Sequence, residues 1–383
     1  MKPTKSLVAA LSVMVLASCA GAQRPTGTTS GTGESTPTVT TSQGQSKAAA
    51  AIVFNRWASE TDHALLKIDL EGSNEQLILE VGDGAALSPD GTRFVSAVEA
   101  SDGRVAPAMF DFDGSGFAVL PLPDPRINLA GGTWFPDGTR LVTGAWDDSD
   151  PSRDGLYSFR ASDGGDLVRL TDPGTSQDYE IAFSPDGTKI LLTRAIPPVR
   201  HGGPMQLMTM NVDGSGLQRV NPPGTTAGLT SLGIESSASW SPDGRVAFVA
   251  SDGSYWDDRR AVFVANADGT GAERITPWNE TLSAQWSPDG EWIAYDTSAS
   301  SGPHQLFVVR PDGTDPTPLT SSENDVFSFG PTWSPDGTKL LFVRGDDFTA
   351  TDLWVVNADG TGLARVTHRP SEYNGYGWLP SAG

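Results

Sequence analysis

Four histidines are the side chains of this sequence best suited to hold a metal ion, because neutral imidazoles are common ligands of transition metals. A single zinc-type ion would need three of them at about 2.1 Å. They fall in four separate connecting segments whose spacing gives no reason for convergence; they are His63, His201, His304 and His368. A histidine metal site is kept as the alternative, and the sequence predicts no metal and no other cofactor.

The single cysteine, Cys19, leaves no partner for an intrachain disulfide, a cysteine-type zinc site or a redox pair. It closes an N-terminal segment with a basic start, an apolar run over 7–16 and the small residues Ala17 and Ser18. The segment resembles a bacterial lipoprotein signal peptide. The resemblance implies cleavage before Cys19, lipid on its sulfur and amine, and a place outside the cytoplasm, at the cell membrane or the outer membrane. A cryptic membrane anchor, or an ordinary cleavage site with a chance cysteine, is the alternative.

Several segments between the predicted strands combine aromatic with charged side chains, the mixture typical of interface hot spots. Loops on a rigid scaffold are also where binding residues usually lie. The candidate partner-binding residues are Trp57, Trp146, Asp147, Tyr255, Trp256, Asp257, Arg259 and Trp278. The alternative is that the aromatic rings cover strand edges and the charges solvate loop tips.

The charge balance excludes one class of partner. Lys and Arg number 26 against 47 Asp and Glu, a formal charge of −21. Binding of nucleic acid needs a basic face, so we expect no nucleic-acid partner. The only contact expected with a membrane is through the N-terminal lipid.

The elements that position these residues follow from an internal repeat. A Pro-Asp-Gly turn, preceded by Ser or Phe, occurs six times and a truncated copy ends the chain; successive prolines lie 45 to 57 residues apart. They are Pro89, Pro136, Pro185, Pro242, Pro288, Pro335 and Pro380. Such a period suits four short strands per unit.

Each turn residue has a conformational reason. Pro presets φ for a type I turn, Asp tolerates the next position, and Gly accepts the left-handed conformation that follows. A large apolar residue such as Trp333 precedes the turn, and a second Asp-Gly turn follows further on, as at 359–360. Units of this kind resemble the WD40-like propeller repeat of the TolB type. The resemblance covers residues 51–383 and implies an all-β propeller of four-stranded blades.

Counting third strands gives seven units, beginning near Leu65, Met109, Leu156, Leu207, Val262, Leu306 and Leu353. The first unit lacks its innermost strand, and an orphan strand stands at the C-terminus, at 377–380. We therefore predict seven blades rather than six or eight, closed by pairing of the N- and C-terminal strands. The domain organisation is a signal peptide over 1–18, a lipidated cysteine and disordered Gly/Ser/Thr linker over 19–50, and a propeller over 51–383.

The function expected from these features is a membrane-tethered, extracytoplasmic binding or scaffold protein for an unidentified protein or envelope polymer, without catalysis. The alternative is a carbohydrate-active lyase, or another small-ligand enzyme using the central channel. The oligogalacturonate lyases, which have similar repeats, hold a metal through histidines, but that likeness is at fold level. Propeller-gated peptidases carry a separate hydrolase domain, and no Gly-x-Ser-x-Gly elbow occurs here. The calcium-like run 111–116 repeats in register with the turns, so a turn explains it.

Overall fold

The computed structural model describes most of the chain after residue 50. The described residues are 51–59, 62–80, 85–174, 176–195, 205–227, 238–252, 259–298, 302–321, 326–346, 350–371, 373 and 375–379. Within them the fold is all-β, with one short 3₁₀ helix at Pro151–Arg153. No helix among these residues is long and apolar enough to cross a membrane.

The strands, numbered in chain order, form antiparallel sheets whose members follow the repeat, and we number the repeat units in the same order. Unit 1 contains β1 (Ala51–Ser59), β2 (Asp62–Asp69), β3 (Gln76–Leu79) and the C-terminal β30 (Tyr376–Trp378). Unit 2 contains β4 (Ala85–Leu87), β5 (Arg93–Glu99), β6 (Val105–Asp111) and β7 (Ala118–Val119). Unit 3 contains β8 (Asn128–Leu129), β9 (Thr133–Trp134), β10 (Arg140–Trp146), β11 (Gly155–Arg160) and β12 (Val168–Arg169).

Units 4 and 5 share one nine-stranded sheet, because a short strand, β17 (Thr226–Ala227), pairs with both β15 and β19. Unit 4 contains β13 (Gln177–Phe183), β14 (Lys189–Ala195), β15 (Met205–Asn211) and β16 (Gln218–Arg219). Unit 5 contains β18 (Ala238–Trp240), β19 (Arg245–Ser251), β20 (Arg260–Asn266) and β21 (Glu273–Arg274). Unit 6 contains β22 (Glu280–Trp286), β23 (Ile293–Ser298), β24 (Gln305–Val309) and β25 (Thr317–Pro318). Unit 7 contains β26 (Phe327–Trp333), β27 (Lys339–Gly345), β28 (Thr351–Asn357) and β29 (Ala364–Arg365).

The Pro-Asp-Gly turns close the hairpins between first and second strands, as the sequence predicts. In unit 7 the Gly337 amide donates to the Ser334 carbonyl at 2.8 Å, and Gly337 has φ +69°, a conformation that favours glycine. The third strands of the units span the seven positions counted from the sequence.

The core lies between neighbouring units rather than inside one of them. Within the described residues there are seven hydrophobic clusters, and each draws its side chains from two adjacent units. One of these joins Ile52 and Phe54 of unit 1 to Leu341 and Val355 of unit 7. Some of the tryptophans that precede the turns add a polar contact to this packing. For example, the Trp333 indole N–H donates at 3.1 Å to the Gln285 carbonyl of unit 6.

The two ends of the chain meet in unit 1. β30 pairs with β1 in antiparallel register, with Ile52 opposite Trp378, and the Leu379 amide donates to the Ala51 carbonyl at 2.8 Å. Unit 1 also lies against unit 7 at its outer turn. A Cβ placed on Gly72, whose φ is +75°, would come within 2.5 Å of the Val366 carbonyl oxygen, so the close approach requires glycine.

Candidate functional site

The sheet topology divides the connections between two opposite faces. The turn face carries the connections between first and second strands and between third and fourth strands, such as 334–338 and 358–363. The loop face carries the connections between second and third strands, such as 100–104 and 147–154, and also the connections between units. Four predicted partner-binding residues whose placement is described lie at the loop face: Trp146, Asp147, Arg259 and Trp278.

Aspartates of the turn face are used by their own turns. The Asp336 carboxylate accepts from the Thr338 amide at 3.0 Å, from the Thr338 hydroxyl at 2.8 Å and from the Ser334 hydroxyl at 2.7 Å. Asp186 of unit 4 accepts equivalent hydrogen bonds, and these lower its pKa, with the Ser184 hydroxyl contributing most and Thr188 next. The calcium-like run also forms a turn, in which Asp113 accepts from the Ser115 amide at 2.9 Å.

The connection at 147–154 on the loop face is held in place by charges. The Arg153 guanidinium donates to Asp147 at 2.7 Å and also pairs with Asp124, which lies in the connection between units 2 and 3. The Asp147 amide donates to Asp154 at 3.1 Å. Hydrogen bonds from the Ser149 hydroxyl and amide, and then from Arg153, lower the pKa of Asp147 to about 2. Two loop-face connections are therefore tied together.

Burial changes the picture of one predicted binding residue. Asp147 is only 3 % exposed, so its carboxylate holds the loop rather than facing outward. The neighbouring Trp146 is half-buried at the end of β10. No sequence pattern indicated that Arg153, six residues later, pairs with Asp147.

Other predicted residues divide into those whose side chains are described and those that are not. Arg259 is exposed, with its guanidinium 3.8 Å from Asp252. Trp278 is half-buried, packs on Phe263 with ring centroids 5.8 Å apart, and has the Arg274 guanidinium 5.1 Å above its ring. Trp57 lies in β1, in register with His63 of β2, and nothing is described of either side chain. Tyr255, Trp256 and Asp257 lie outside the described residues.

The structure does not bring the histidines together where it describes them. His304 is 2 % exposed and belongs to unit 6. His368 is exposed, follows β29 in unit 7, and is not grouped with His304. His201 lies outside the described residues. Within the described part of the chain, no group of three or more His, Cys, Asp or Glu side chains is arranged to hold a metal ion.

His304 belongs to a buried polar cluster that the sequence did not reveal. Its Nδ1 lies 3.3 Å from Asp296 Oδ1 and its Nε2 lies 3.7 Å from Glu280 Oε1. Burial opposes the imidazolium, but the hydrogen bond and charge of Asp296, aided by Glu280, outweigh it and raise the pKa of His304. His304 does lie in a connecting segment, just before β24, but Asp296 holds its ring in the protein interior.

Asp296 joins units 6 and 7. Its carboxylate accepts from the Leu282 amide at 3.0 Å, from the Gly330 amide of unit 7 at 3.2 Å, and from the Ser283 hydroxyl. Because Ser283 donates to Asp296 rather than to His304, the three side chains lack the nucleophile-to-base hydrogen bond of a catalytic triad. The cluster is built to hold the sheet ends together.

An arginine near this cluster was also missed. Arg344 is half-buried at the loop-face end of β27, where its Nη1 donates to the Ser328 hydroxyl at 2.7 Å. Its guanidinium lies 5.6 Å above the Trp354 ring. A signal was available in the sequence, because Lys189 to Arg194 and Lys339 to Arg344 have the same spacing after equivalent turns.

The turn face also has a cleft, of about 620 Å³, between units 5 and 6, which the sequence did not predict. Five charged residues line it: Arg245, Glu273, Glu291, Arg310 and Asp312. Arg310 pairs with Glu291 at 3.0 Å and lies 4.0 Å above the Trp292 ring. Two of the five charged side chains of this cleft therefore neutralise each other.

Comparisons with known proteins agree with this architecture. Residues 223–382 match the family model of the TolB beta propeller domain. The fold resembles oligogalacturonate lyase from Vibrio parahaemolyticus (13% identity, TM-score 0.56, covering 80% of this chain and 91% of that chain). It also resembles a puromycin-hydrolyzing peptidase of Mycobacterium tuberculosis (13% identity, TM-score 0.58, covering 87% of this chain and 55% of that chain). TolB from Acinetobacter baumannii is 16% identical, with a TM-score of 0.47 and coverage of 86% and 82%.

At these identities the likeness to solved structures shows the fold alone. No match was found among curated proteins. The family match and the all-β units described above agree: residues 223–382 form a TolB-type β-propeller domain, and the units before them follow the same repeat.

Proposed function

We propose that this protein is a lipid-anchored, extracytoplasmic propeller that binds a protein partner through its loop face. The observation that carries the proposal is the different use of charge on the two faces. Turn-face aspartates such as Asp336 accept hydrogen bonds from their own turns. The loop face keeps Arg259 exposed and leaves Arg344, within the described part of the chain, without a carboxylate partner.

Rigid display supports the same function. The tie from Arg153 to Asp124 and Asp147 fixes two loop-face connections before any partner arrives. A preorganised surface loses less conformational entropy on binding. Half-buried aromatic rings with stacked guanidinium groups, such as Trp278 with Arg274, are the residue types that dominate interface energetics.

The binding test compares matched variants on the two faces of the full-length chain. Alanine at Arg259 or Trp278 should cost about 2 kcal/mol or more in partner affinity, roughly 30-fold. Stability should change little for Arg259→Ala and fall for Trp278→Ala, because the Trp278 ring packs on Phe263. Alanine at Asp289 or Asp336 of the turn face should lower stability modestly and leave affinity nearly intact. Affinity for a co-purified partner and melting temperature would be measured on both sets. If only the turn-face variants lose binding while they remain folded, the partner binds the turn face and the proposal is wrong.

The membrane anchor rests on the N-terminal sequence. Cys19 follows an apolar run and small residues in the pattern of a lipoprotein signal, and the residues up to 50 provide a polar tether. Replacing Cys19→Ala should release the protein from the membrane fraction. Unchanged fractionation, with no diacylglyceryl mass on the mature N-terminus, would contradict lipidation.

We further propose that the seven units, over 51–383, are seven blades of a closed ring. Support comes from the pairing of β30 with β1 and from the cluster shared by units 1 and 7. Deleting 376–383 removes β30 and the buried Trp378, and should cost about 3–5 kcal/mol in unfolding free energy. Deleting 381–383 alone is the control. Equal urea midpoints for the two truncations would show that the C-terminal strand does not close the ring.

A further inference from the structure

Three second strands carry an arginine at the same register position. The register is counted from the residue that pairs with the aromatic residue at the end of the inner strand. That residue is Ile190, paired with Phe183, in unit 4 and Leu340, paired with Trp333, in unit 7. The arginine follows it by four residues. The arginines are Arg56 in unit 1, Arg194 in unit 4 and Arg344 in unit 7. In units 4 and 7 the residues directly opposite on the inner strand are Asp178 and Ser328.

Two of these arginines have a carboxylate. Arg194 makes a bidentate pair with Asp178, Nε to Oδ1 at 2.7 Å and Nη2 to Oδ2 at 2.8 Å, and the Asp178 side chain is fully buried. Arg56 pairs with Glu75 at 2.8 Å. At this register position the fold therefore accommodates a guanidinium with a carboxylate in contact with it.

Arg344 has the same placement without an acid on the inner strand, and Asp352, opposite it on β28, pairs with Arg365 instead. The hydrogen bond of Arg344 within the described part of the chain goes to the uncharged Ser328 hydroxyl, and burial lowers the pKa of Arg344. A partly desolvated cation without a counterion is unfavourable, and a carboxylate that makes charge-assisted hydrogen bonds would relieve that cost. The Trp354 ring beside the guanidinium provides an aromatic surface for the group that carries the carboxylate.

The surroundings select among anions. The Ser328 amide donates to the His304 carbonyl at 2.8 Å, which places the acidic Glu280 and Asp296 cluster next to this position. Glu280 is 35% exposed, and the whole chain carries a net charge of −21. Both repel a polyanion such as an acidic polysaccharide, but they tolerate one carboxylate on a segment that is otherwise neutral or basic.

We propose that Arg344 binds one carboxylate of a peptide segment at the loop-face end of the boundary between units 6 and 7, with Trp354 as the aromatic surface. This inference rests on the proposed function, since it names the chemistry by which the loop face recognises its protein partner. The carboxylate would approach the exposed part of the half-buried Arg344, because Ser328, at the position of Asp178, is fully buried.

The test follows the arginine Nε–Hε signals of the full-length chain in detergent micelles, with the Arg344 signal assigned by Arg344→Lys. The probes are N-acetyl-Ala-Glu-Ala-amide, its Gln counterpart, N-acetyl-Ala-Ala-Ala with a free C-terminal carboxylate, and a short oligouronate. Saturable shifts of Arg344 with the Glu peptide, at least tenfold weaker with the Gln peptide, support the proposal. A stronger response to the free C-terminus would assign the carboxylate to a chain end. A response to the oligouronate alone, or to none of the probes, would overturn the proposal.

Two reciprocal variants sharpen the test. Ser328→Asp gives Arg344 the acid that Arg194 already has, and should weaken binding of the Glu peptide at least tenfold. Asp178→Ser frees Arg194 and should make its signal respond to the same peptide. Undiminished binding in a folded Ser328→Asp variant would contradict the inference. If alanine at Arg259 or Trp278 still abolishes partner binding in that case, the proposed function stands and only the role of Arg344 falls.

Discussion

Units 4 and 7 are built from the same repeat, yet they treat one charge differently. Arg194 is neutralised by the buried Asp178, whereas Arg344 at the same register faces Ser328. One residue on the inner strand therefore decides whether the guanidinium serves the fold or stays available to a ligand. In a repeat protein the shared residues build the scaffold, and departures from the repeat are where function is to be sought.

The largest effect expected from this comparison is on stability. Asp178→Asn leaves Arg194 without its counterion, which should cost about 2–3 kcal/mol, somewhat less than a fully buried pair because the Arg194 side chain remains 19% exposed. Ser328→Ala in unit 7 removes one hydrogen bond and should cost about 1 kcal/mol. Urea denaturation of both variants measures the difference. Equal losses of unfolding free energy would mean that Arg194 and Arg344 contribute equally to stability.

A smaller effect is expected where the contacts between units differ. The Trp333 indole donates to the Gln285 carbonyl at 3.1 Å, whereas the buried Trp286 indole N–H has no hydrogen-bond partner within the described residues. Trp333→Phe should therefore destabilise by about 1 kcal/mol more than Trp286→Phe, because only the first loses a hydrogen bond. Both rings are largely buried, which makes each variant the volume control for the other. A larger loss for Trp286→Phe would refute this assignment.

The smallest expected effect is the pH dependence of the loop tie. The pKa of Asp147 falls from 3.8 to about 2 on folding, so the unfolded chain takes up its proton first as the pH drops. The stabilising contribution is present above pH 3.8 and is lost as the pH falls toward 2. Asp147→Asn should remove this component, which is read as the difference in melting temperature from wild type between pH 5 and pH 2. A constant difference across that range would show that Asp147 does not hold the loop through its charge.

The scaffold could be predicted from the sequence because its signals are local and repeated. Pro-Asp-Gly turns fix the hairpins, and their spacing located the third strands and the strand at the C-terminus that pairs with β1. These elements depend on turn chemistry and on alternation within a few residues. The positions of these strands could therefore be predicted without knowing any contact between residues distant in the sequence.

The candidate site was harder to predict because it depends on register across strands. Inner strands β13 and β26 each contain an irregularity, between Glu180 and Ala182 and between Phe329 and Thr332, which shifts the residue opposite each arginine. The ion pair between Arg153 and Asp124 joins residues 29 apart in the sequence. The buried position of His304 depends on its contact with Asp296 of β23. Pairings of this kind carry no local sequence signal.

The most direct test of the account is to find which face touches a partner in the native envelope. A photo-crosslinking amino acid would be placed in the full-length chain at the exposed loop-face positions Asp148 and Asp172, and at the exposed turn-face positions Glu71 and Glu291. We expect a discrete crosslinked adduct from the loop-face positions that is lost when Trp278→Ala is added, and no such adduct from the turn face. Adducts confined to Glu71 and Glu291 would contradict the assignment of binding to the loop face.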